Sequence, residues 1–176
     1  ESVAEHAMML LLGIAKGVIV NDEHSRAARW PQSETLPVRG TTVGIIGLGR
    51  IGRSFAVRAI GMGMKVIATE LYPNSEFVEQ HGIELVDREE LLSRSDYISV
   101  HCPFNDETKG MINAQFLSQM KPGGVIINTA RGGLQVEADL VDALKSGHLY
   151  GAGLDVFEQE PPEANNPLFG LSNVIL

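Results

Sequence analysis

Cysteine and long apolar runs are both scarce in this sequence. Its single cysteine, Cys102, excludes an intramolecular disulfide and argues against a disulfide-stabilised secreted protein. Its most apolar stretch, residues 7–14, is far shorter than the ~20 residues that a membrane-spanning helix needs, so no membrane partner is expected. Runs of lysine and arginine are missing as well. The net charge of −8 argues against a nucleic-acid partner, because nucleic-acid-binding proteins usually present a basic surface.

The length and composition predict one compact domain. With 176 residues, of which 44% are apolar and 20% charged, the chain can bury one good core but has no room for a second full domain. We interpret residues 1–40 as a leading helix and a connector, and residues 41–176 as the core of the domain.

A helix is predicted to lead the chain over residues 2–16, where Ser2 and Glu5 have the spacing of a capping box. Apolar residues cover more than one face of this helix. It is therefore either buried on several sides within the domain or packed on a second subunit. The stretch Asn21–Gly40 is polar, contains Trp30, Pro31 and Pro37, and is predicted to be irregular.

From Thr41 onwards, short β-branched runs alternate with helical patterns, as in parallel βαβ units. The predicted fold class is therefore α/β, a doubly wound Rossmann-type parallel sheet with helices on both faces. Gly147 is expected to end the last of the helices. Strands are predicted over residues 42–46, 65–69, 83–86, 97–100, 125–128, 151–155 and 173–176, and helices over residues 51–62, 88–93, 113–120 and 137–146.

A glycine motif joins the first of these strands to the following helix. Gly47, Gly49 and Gly52 form the pattern GxGxxG, which is weak alone but strong in this context. The first glycine allows a tight turn, the second lets a pyrophosphate approach the backbone, and the third lets helix and strand pack closely. The amino end of the helix adds free N–H groups and the positive end of its dipole. The alternative is a glycine turn without a ligand.

Glu70 ends the second strand, about 20 residues past the glycine motif, where dinucleotide-binding domains carry an acid. A carboxylate here accepts hydrogen bonds from the ribose hydroxyls of the adenosine and repels a 2′-phosphate. Residues 71–75 contain no arginine or lysine that could neutralise such a phosphate. The sequence therefore favours NAD over NADP, and redox chemistry with NAD favours a cytoplasmic location. The alternative is a solvated glutamate.

Two charged residues follow later strands, at the edge where open α/β sheets bind ligands. Arg131 follows the strand 125–128, and its guanidinium is suited to holding a substrate carboxylate through two parallel hydrogen bonds. The alternative for Arg131 is a surface ion pair. Asp155 either accepts a hydrogen bond from a nicotinamide carboxamide or caps the next segment.

His101 and Cys102 follow the strand 97–100. We interpret His101 as a packing residue or a residue at the edge of the cofactor rather than as a general acid. No basic neighbour or helix N-terminus is evident that would lower the pKa of Cys102, so we do not predict a redox nucleophile.

Several longer segments carry a resemblance to a known family. The chain resembles, nearly from end to end, the D-isomer-specific 2-hydroxyacid dehydrogenases, which include phosphoglycerate, glycerate, D-lactate and formate dehydrogenases. The resemblance implies an enzyme that interconverts D-2-hydroxy acids and 2-oxo acids by hydride transfer with NAD. It lies in the order and spacing of SVAEHAMMLLLGIAK, TVGIIGLGRIG, HCPFNDETKGMIN, MKPGGVIINTARGG, LKSGHLYGAGLDVFEQEP and NPLFGLSNVIL.

The resemblance also implies roles for individual residues. Arg131 matches the family's substrate-binding arginine, and Glu160 matches the acid that orients a catalytic histidine and favours its charged form. That histidine belongs to a TPH motif that the 176 residues do not contain, so we expect the chain to bind cofactor without turnover. No metal is expected. Cofactor contacts are implied at Gly47, Gly49, Arg50, Ile51, Gly52, Glu70, Cys102, Pro103, Thr129, Ala130, Arg131 and Asp155.

Three further expectations concern parts outside the site. The family's smaller substrate domain is absent from this chain. The first helix resembles the helix through which many members form homodimers. Val136 stands where the family usually has an aspartate near a helix start, which puts the capping of that helix in doubt.

Two other classes of function remain open. One is a transcriptional corepressor that senses NAD(H) and resembles the C-terminal-binding proteins. The other is a purely structural nucleotide-binding module.

Overall fold

Seven parallel strands form one sheet in the computed structural model, which describes residues 1–30 and 35–176. The strands are β1 (Thr42–Ile46), β2 (Lys65–Thr69), β3 (Glu84–Leu85), β4 (Tyr97–Val100), β5 (Gly124–Asn128), β6 (Leu149–Leu154) and β7 (Val174–Ile175). Their order in the sheet is β3-β2-β1-β4-β5-β6-β7. The direction in which strands are added reverses between β1 and β4, which confirms the predicted doubly wound fold.

Helices cover both faces of this sheet, as predicted. They are α1 (Ser2–Lys16), α2 (Val18–Arg26), α3 (Arg50–Gly61), α4 (Ser75–His81), α5 (Arg88–Arg94), α6 (Ala114–Gln119) and α7 (Glu137–Lys145). One core cluster contains buried side chains of α1 and α3, and a second contains those of α5, α6 and α7. Strand β5 separates the two clusters, because Val125 and Ile127 point into the first and Ile126 into the second.

The leading helix forms over the predicted residues, but its predicted capping box is wrong. Glu1 is the N-cap residue, and no side chain caps the helix. Glu5 instead lies 2.8 Å from the guanidinium of Arg58 on α3, which also contacts the Glu1 carboxylate at 2.6 Å. Ser2 and Glu5 therefore do not cap each other, because Ser2 lies inside the helix and the Glu5 carboxylate pairs with Arg58 instead.

The connector is more regular than predicted, because residues 18–26 form α2. The prediction failed here because no residue of α2 is buried, so no apolar stripe marks the helix in the sequence. Gly17 has a φ of 56° and ends α1, and Asp22 pairs with Arg26 one turn later at 2.7 Å. Residues 31–34 of the predicted connector, including Pro31, lie outside the described residues.

The remaining differences are small. Strand β6 covers residues 149–154 rather than 151–155, while β3 and β7 have two residues each. The sequence interpretation missed α4, a short helix whose N-cap Asn74 accepts a hydrogen bond from the Phe77 N–H at 2.8 Å. No single described helix is long and apolar enough to cross a membrane; α1 and α2 meet the criteria only jointly, as a pair bent by 58°.

Candidate functional site

The register of the sheet brings the predicted site residues to one edge. Thr69 pairs with Ile46, Ile46 with Val100, Val100 with Asn128, and Asn128 with Leu154. Because these strand ends are aligned, the residue that follows each of them leaves the sheet at the same edge. The residues concerned are Gly47, Glu70, His101, Thr129 and Asp155.

At two positions of the motif, the fold requires glycine whether or not a ligand is bound. Gly47 has a φ of 92°, and a Cβ atom added there would lie 2.7 Å from the backbone nitrogen of Cys102. A Cβ atom at Gly52 would lie 2.1 Å from the carbonyl oxygen of Gly47. The first glycine therefore allows the turn, and the third allows α3 to approach it closely, as predicted from the motif.

Gly49 is different, because nothing in the described structure requires a glycine there. Its φ of −68° is open to any residue, and no atom lies within 4 Å of an added Cβ. Gly49 is also the N-cap of α3, and as a glycine it offers no side chain that would cap the first amides of this helix. The free backbone amides at the start of the helix, near Arg50 and Ile51, therefore face open space that a phosphate group could occupy.

Glu70 is held beside the glycine turn by two backbone amides. The Leu48 N–H donates to one carboxylate oxygen at 2.7 Å, and the Tyr72 N–H donates to the other at 3.0 Å. These contacts leave the remaining lone pairs of the carboxylate free to accept hydrogen bonds from hydroxyl groups. The geometry fits the predicted ribose-binding acid.

A cleft of 520 Å³ lies between the amino ends of α1 and α3 and the segments that follow β4 and β5. Thr129 lines it and is only 7% exposed, yet its hydroxyl has no hydrogen-bond partner among the described residues. An unpaired buried hydroxyl is unfavourable, so this oxygen is available to a ligand in the cleft. The residues that line the cleft are Val3, Ile51, His101, Cys102, Pro103, Phe104, Thr129, Ala130 and Arg131.

Arg131 is exposed at the cleft, and its guanidinium donates to the Ala130 carbonyl at 2.6 Å. No carboxylate pairs with it in the described part of the chain, so the structure does not support the alternative that Arg131 forms a surface ion pair. Asp155 is not among the lining residues. Its carboxylate lies 3.4 Å from Nε2 of His6 on α1, a contact that the sequence analysis did not foresee.

The loop that carries Glu160 packs on Gly132, the residue after Arg131, through a backbone contact that sequence reasoning missed. A Cβ atom at Gly132 would lie 1.6 Å from the carbonyl oxygen of Phe157, so only glycine lets the loop after β6 pack beside the Arg131 turn. Within that loop, the Phe157 N–H donates to the Glu160 carboxylate at 3.0 Å. Gly132 and Gly133, which follow Arg131, were the feature of the sequence from which a close backbone contact could have been predicted.

The same loop caps α7. Val136 is the N-cap residue and provides no side-chain hydrogen bond, as its departure from the family pattern suggested. Glu158 supplies the missing acceptor, because its carboxylate binds the Glu137 N–H at 3.0 Å. In return, the Glu158 N–H donates to the Glu137 carboxylate at 2.6 Å. This pair of hydrogen bonds joins the loop that carries Glu160 to α7.

His101 and Cys102 have the character of buried groups. Burial lowers the pKa of His101 to about 4, so the imidazole is neutral at pH 7 and lacks the proton of the imidazolium form that a general acid would donate. Its Nε2 lies 2.9 Å from the Ser99 hydroxyl, and its ring packs on Phe55. Burial is also the main reason that the pKa of the Cys102 thiol is raised to about 11, which keeps the sulfur protonated and unreactive.

Comparison with known proteins connects this geometry to a function. Residues 8–176 match the family model described as D-isomer specific 2-hydroxyacid dehydrogenase, NAD binding domain. The chain is 45% identical to D-3-phosphoglycerate dehydrogenase of Mycobacterium leprae, covering 99% of this chain and 33% of the relative. It is 42% identical to glyoxylate reductase of Thermococcus litoralis, covering 100% of this chain and 56% of the relative.

A solved structure has the same fold. D-lactate dehydrogenase of Aquifex aeolicus, crystallised with NAD and lactic acid, superposes with a TM-score of 0.92 at 33% identity. The match covers 99% of this chain and 58% of the other. The chain thus spans between a third and slightly more than half of the proteins that it resembles.

Proposed function

The chain belongs to the D-isomer-specific 2-hydroxyacid dehydrogenases, as their NAD-binding domain, and from this premise we propose that it holds NAD in the cleft at the strand ends. The parent protein would use the bound cofactor to interconvert a D-2-hydroxy acid and the corresponding 2-oxo acid. NAD supplies the hydride acceptor or donor in that reaction.

We assign the cofactor contacts by position. The amides at the start of α3, next to Gly49, bind the pyrophosphate. Glu70 accepts hydrogen bonds from the ribose hydroxyls, and its charge disfavours the 2′-phosphate of NADP. Thr129 donates its unpaired hydroxyl, and Asp155 turns from His6 to the nicotinamide carboxamide. Cys102, Pro103 and Ala130 provide the apolar wall of the cleft.

Arg131 and Glu160 are the proposed catalytic residues. The guanidinium of Arg131, which has no carboxylate partner in the described structure, binds the substrate carboxylate. Glu160 orients the proton-donating histidine of the parent protein. His101, the histidine that lines the cleft, is neutral and buried, so we expect the 176-residue chain to bind cofactor without oxidising or reducing a 2-hydroxy or 2-oxo acid.

Gly49 is the observation that carries this proposal. Its backbone angles and its surroundings both tolerate a side chain, yet the residue is glycine. A ligand that approaches the backbone closely accounts for this, because a methyl group would occupy the space of the ligand rather than that of the protein.

The test is a titration of the chain with NADH, followed by nicotinamide fluorescence. Gly49→Ala is expected to weaken binding by at least about tenfold, or about 1.4 kcal/mol, while the melting temperature falls only slightly, because alanine is a poorer N-cap residue than glycine. NADPH, titrated in parallel, is expected to bind more weakly than NADH.

Gly61→Ala is the matched control. Gly61 lies at the other end of α3, and nothing lies within 4 Å of an added Cβ there either, so NADH binding should be unchanged. Wild-type protein that does not bind NADH would refute the proposal, and so would equal affinities of wild type and Gly49→Ala.

A further inference from the structure

Asn128 holds the turn that lines the cleft. It is the last residue of β5 and is completely buried. Its amide nitrogen donates to the Arg131 carbonyl at 3.1 Å, and its amide oxygen accepts from the Ala130 N–H at 3.0 Å. One side chain therefore holds the segment 129–131 at two points, the Ala130 N–H and the Arg131 carbonyl, and Thr129 and Arg131 reach the cleft from this segment.

Gln135 provides a third contact that favours this orientation of the Asn128 amide. Its Oε1 accepts the second amide proton of Asn128 at 3.0 Å. If the Asn128 amide turned over, its oxygen would face two acceptor oxygens, those of Gln135 and Arg131, and its NH₂ group would face the Ala130 N–H. Each of these contacts would be repulsive, so the acceptor of Gln135 reinforces the orientation that the Ala130 N–H and the Arg131 carbonyl also favour.

The side chain of Gln135 is not needed for the local fold. The backbone of this residue is already fixed, because its N–H donates to the Gly132 carbonyl at 3.0 Å and it forms a β-bridge with Ile112. The side chain is 2% exposed, and its Nε2 has no hydrogen-bond partner among the described residues. A buried, unpaired amide nitrogen destabilises a protein.

We propose that Gln135 is a positioning residue that acts on the cofactor site through Asn128. The side chain of Gln135 is polar and buried, which is unfavourable for stability. It nevertheless accepts a hydrogen bond from the Asn128 amide, and that amide shapes the turn 129–131. The inference rests on the proposed function, because it assumes that this turn contacts NAD.

Gln135→Met tests the inference, because methionine has a similar length and volume but neither a donor nor an acceptor. The variant removes the unpaired Nε2 but also leaves one amide proton of the buried Asn128 without an acceptor, so the two effects offset each other and the melting temperature is expected to stay close to that of the wild type. It also removes the partner of Asn128, so NADH is expected to bind about tenfold more weakly. A purely structural role would instead lower stability and binding together.

Leu134→Met is the matched control, because Leu134 is the buried neighbour in the same segment and makes no side-chain hydrogen bond. NADH affinity should be unchanged in this variant. The inference is overturned if Gln135→Met binds NADH like the wild type, or if it is unfolded or its melting temperature falls in proportion to its loss of binding. A wild-type chain that fails to bind NADH would refute the proposed function itself, and the inference with it.

Discussion

His101 is a partly buried titratable residue at the cleft, and it makes stability depend on pH. In the folded protein its pKa is about 4 because of burial, whereas a histidine in an unfolded chain has a pKa near ~6.5. As the pH falls through this window, the unfolded state binds the proton first. The stabilisation from a neutral His101 is therefore complete above about pH 6.5 and is lost towards pH 4.

His101→Gln should remove this part of the pH dependence. The wild type is expected to lose up to about 1.4 kcal/mol of unfolding free energy per pH unit within the window because of this residue. Urea denaturation at pH 7 and pH 5 measures how much unfolding free energy the wild type and the variant each lose between the two pH values. Carboxylates titrate in both proteins, so the difference between the two losses of unfolding free energy is the contribution of His101. Equal losses would contradict the prediction.

Single residues differ in how far the sequence reveals their roles. Gly47, Gly49 and Gly52 were predictable because a local motif specifies the turn and the helix start. Gly132 and Gln135 were not, since their partners, Phe157 and Asn128, are chosen by the packing of separate segments. The pairing of His6 with Asp155 was missed for the same reason, because its members are far apart in the sequence.

At the scale of elements, α7 depends on a cap from outside the helix. Glu158→Ala removes the acceptor for the Glu137 N–H and should lower the unfolding free energy by about 1 kcal/mol, the usual cost of losing an N-cap. Chemical denaturation measures this loss.

Glu163→Ala is the matched control for this variant. Glu163 is an exposed acid of the same loop, and its side chain makes no hydrogen bond within the described residues. The control should change stability by less than about 0.5 kcal/mol, as surface substitutions usually do. An equal loss in both variants would show that the cap of Glu158 is not the cause.

Buried elements were predicted well, and exposed ones were not. The inner strands β1, β2, β4 and β5 were recognisable because β-branched residues fill strands that are covered on both faces. Helices α2 and α4 contain no buried residues, so no apolar periodicity marks them. Their caps and ion pairs depend on side-chain geometry that a sequence pattern specifies only weakly.

At the scale of the whole molecule, most apolar residues of α1 are explained by the domain itself. Residues such as Leu10, Leu11 and Ile14 are buried against the sheet, which supports the core-burial alternative for this part of the helix. Met9 on α1, and Val18 and Ile19 on α2, remain about half exposed. We propose that these three residues form the contact of a homodimer.

Ile19→Glu is expected to convert a dimeric chain into a monomer, because it would place a charge in an apolar contact. Light scattering coupled to size-exclusion chromatography measures the mass. Leu85→Glu, at the opposite edge of the sheet on β3, is the control and should remain dimeric. A monomeric wild type, or a dimeric Ile19→Glu, would contradict this assignment.

The aligned strand ends have a consequence for how such a sequence can change over evolution. An exchange of one apolar side chain for another within β4 or β5 keeps the register and leaves His101 and Thr129 at the same edge. A one-residue deletion inside either strand would reverse the face to which the following residue points. Insertions and deletions should therefore be tolerated in the connections at the other edge of the sheet. They should be rejected within the strands, because the length of each strand determines where the residue that follows it lies relative to the cleft.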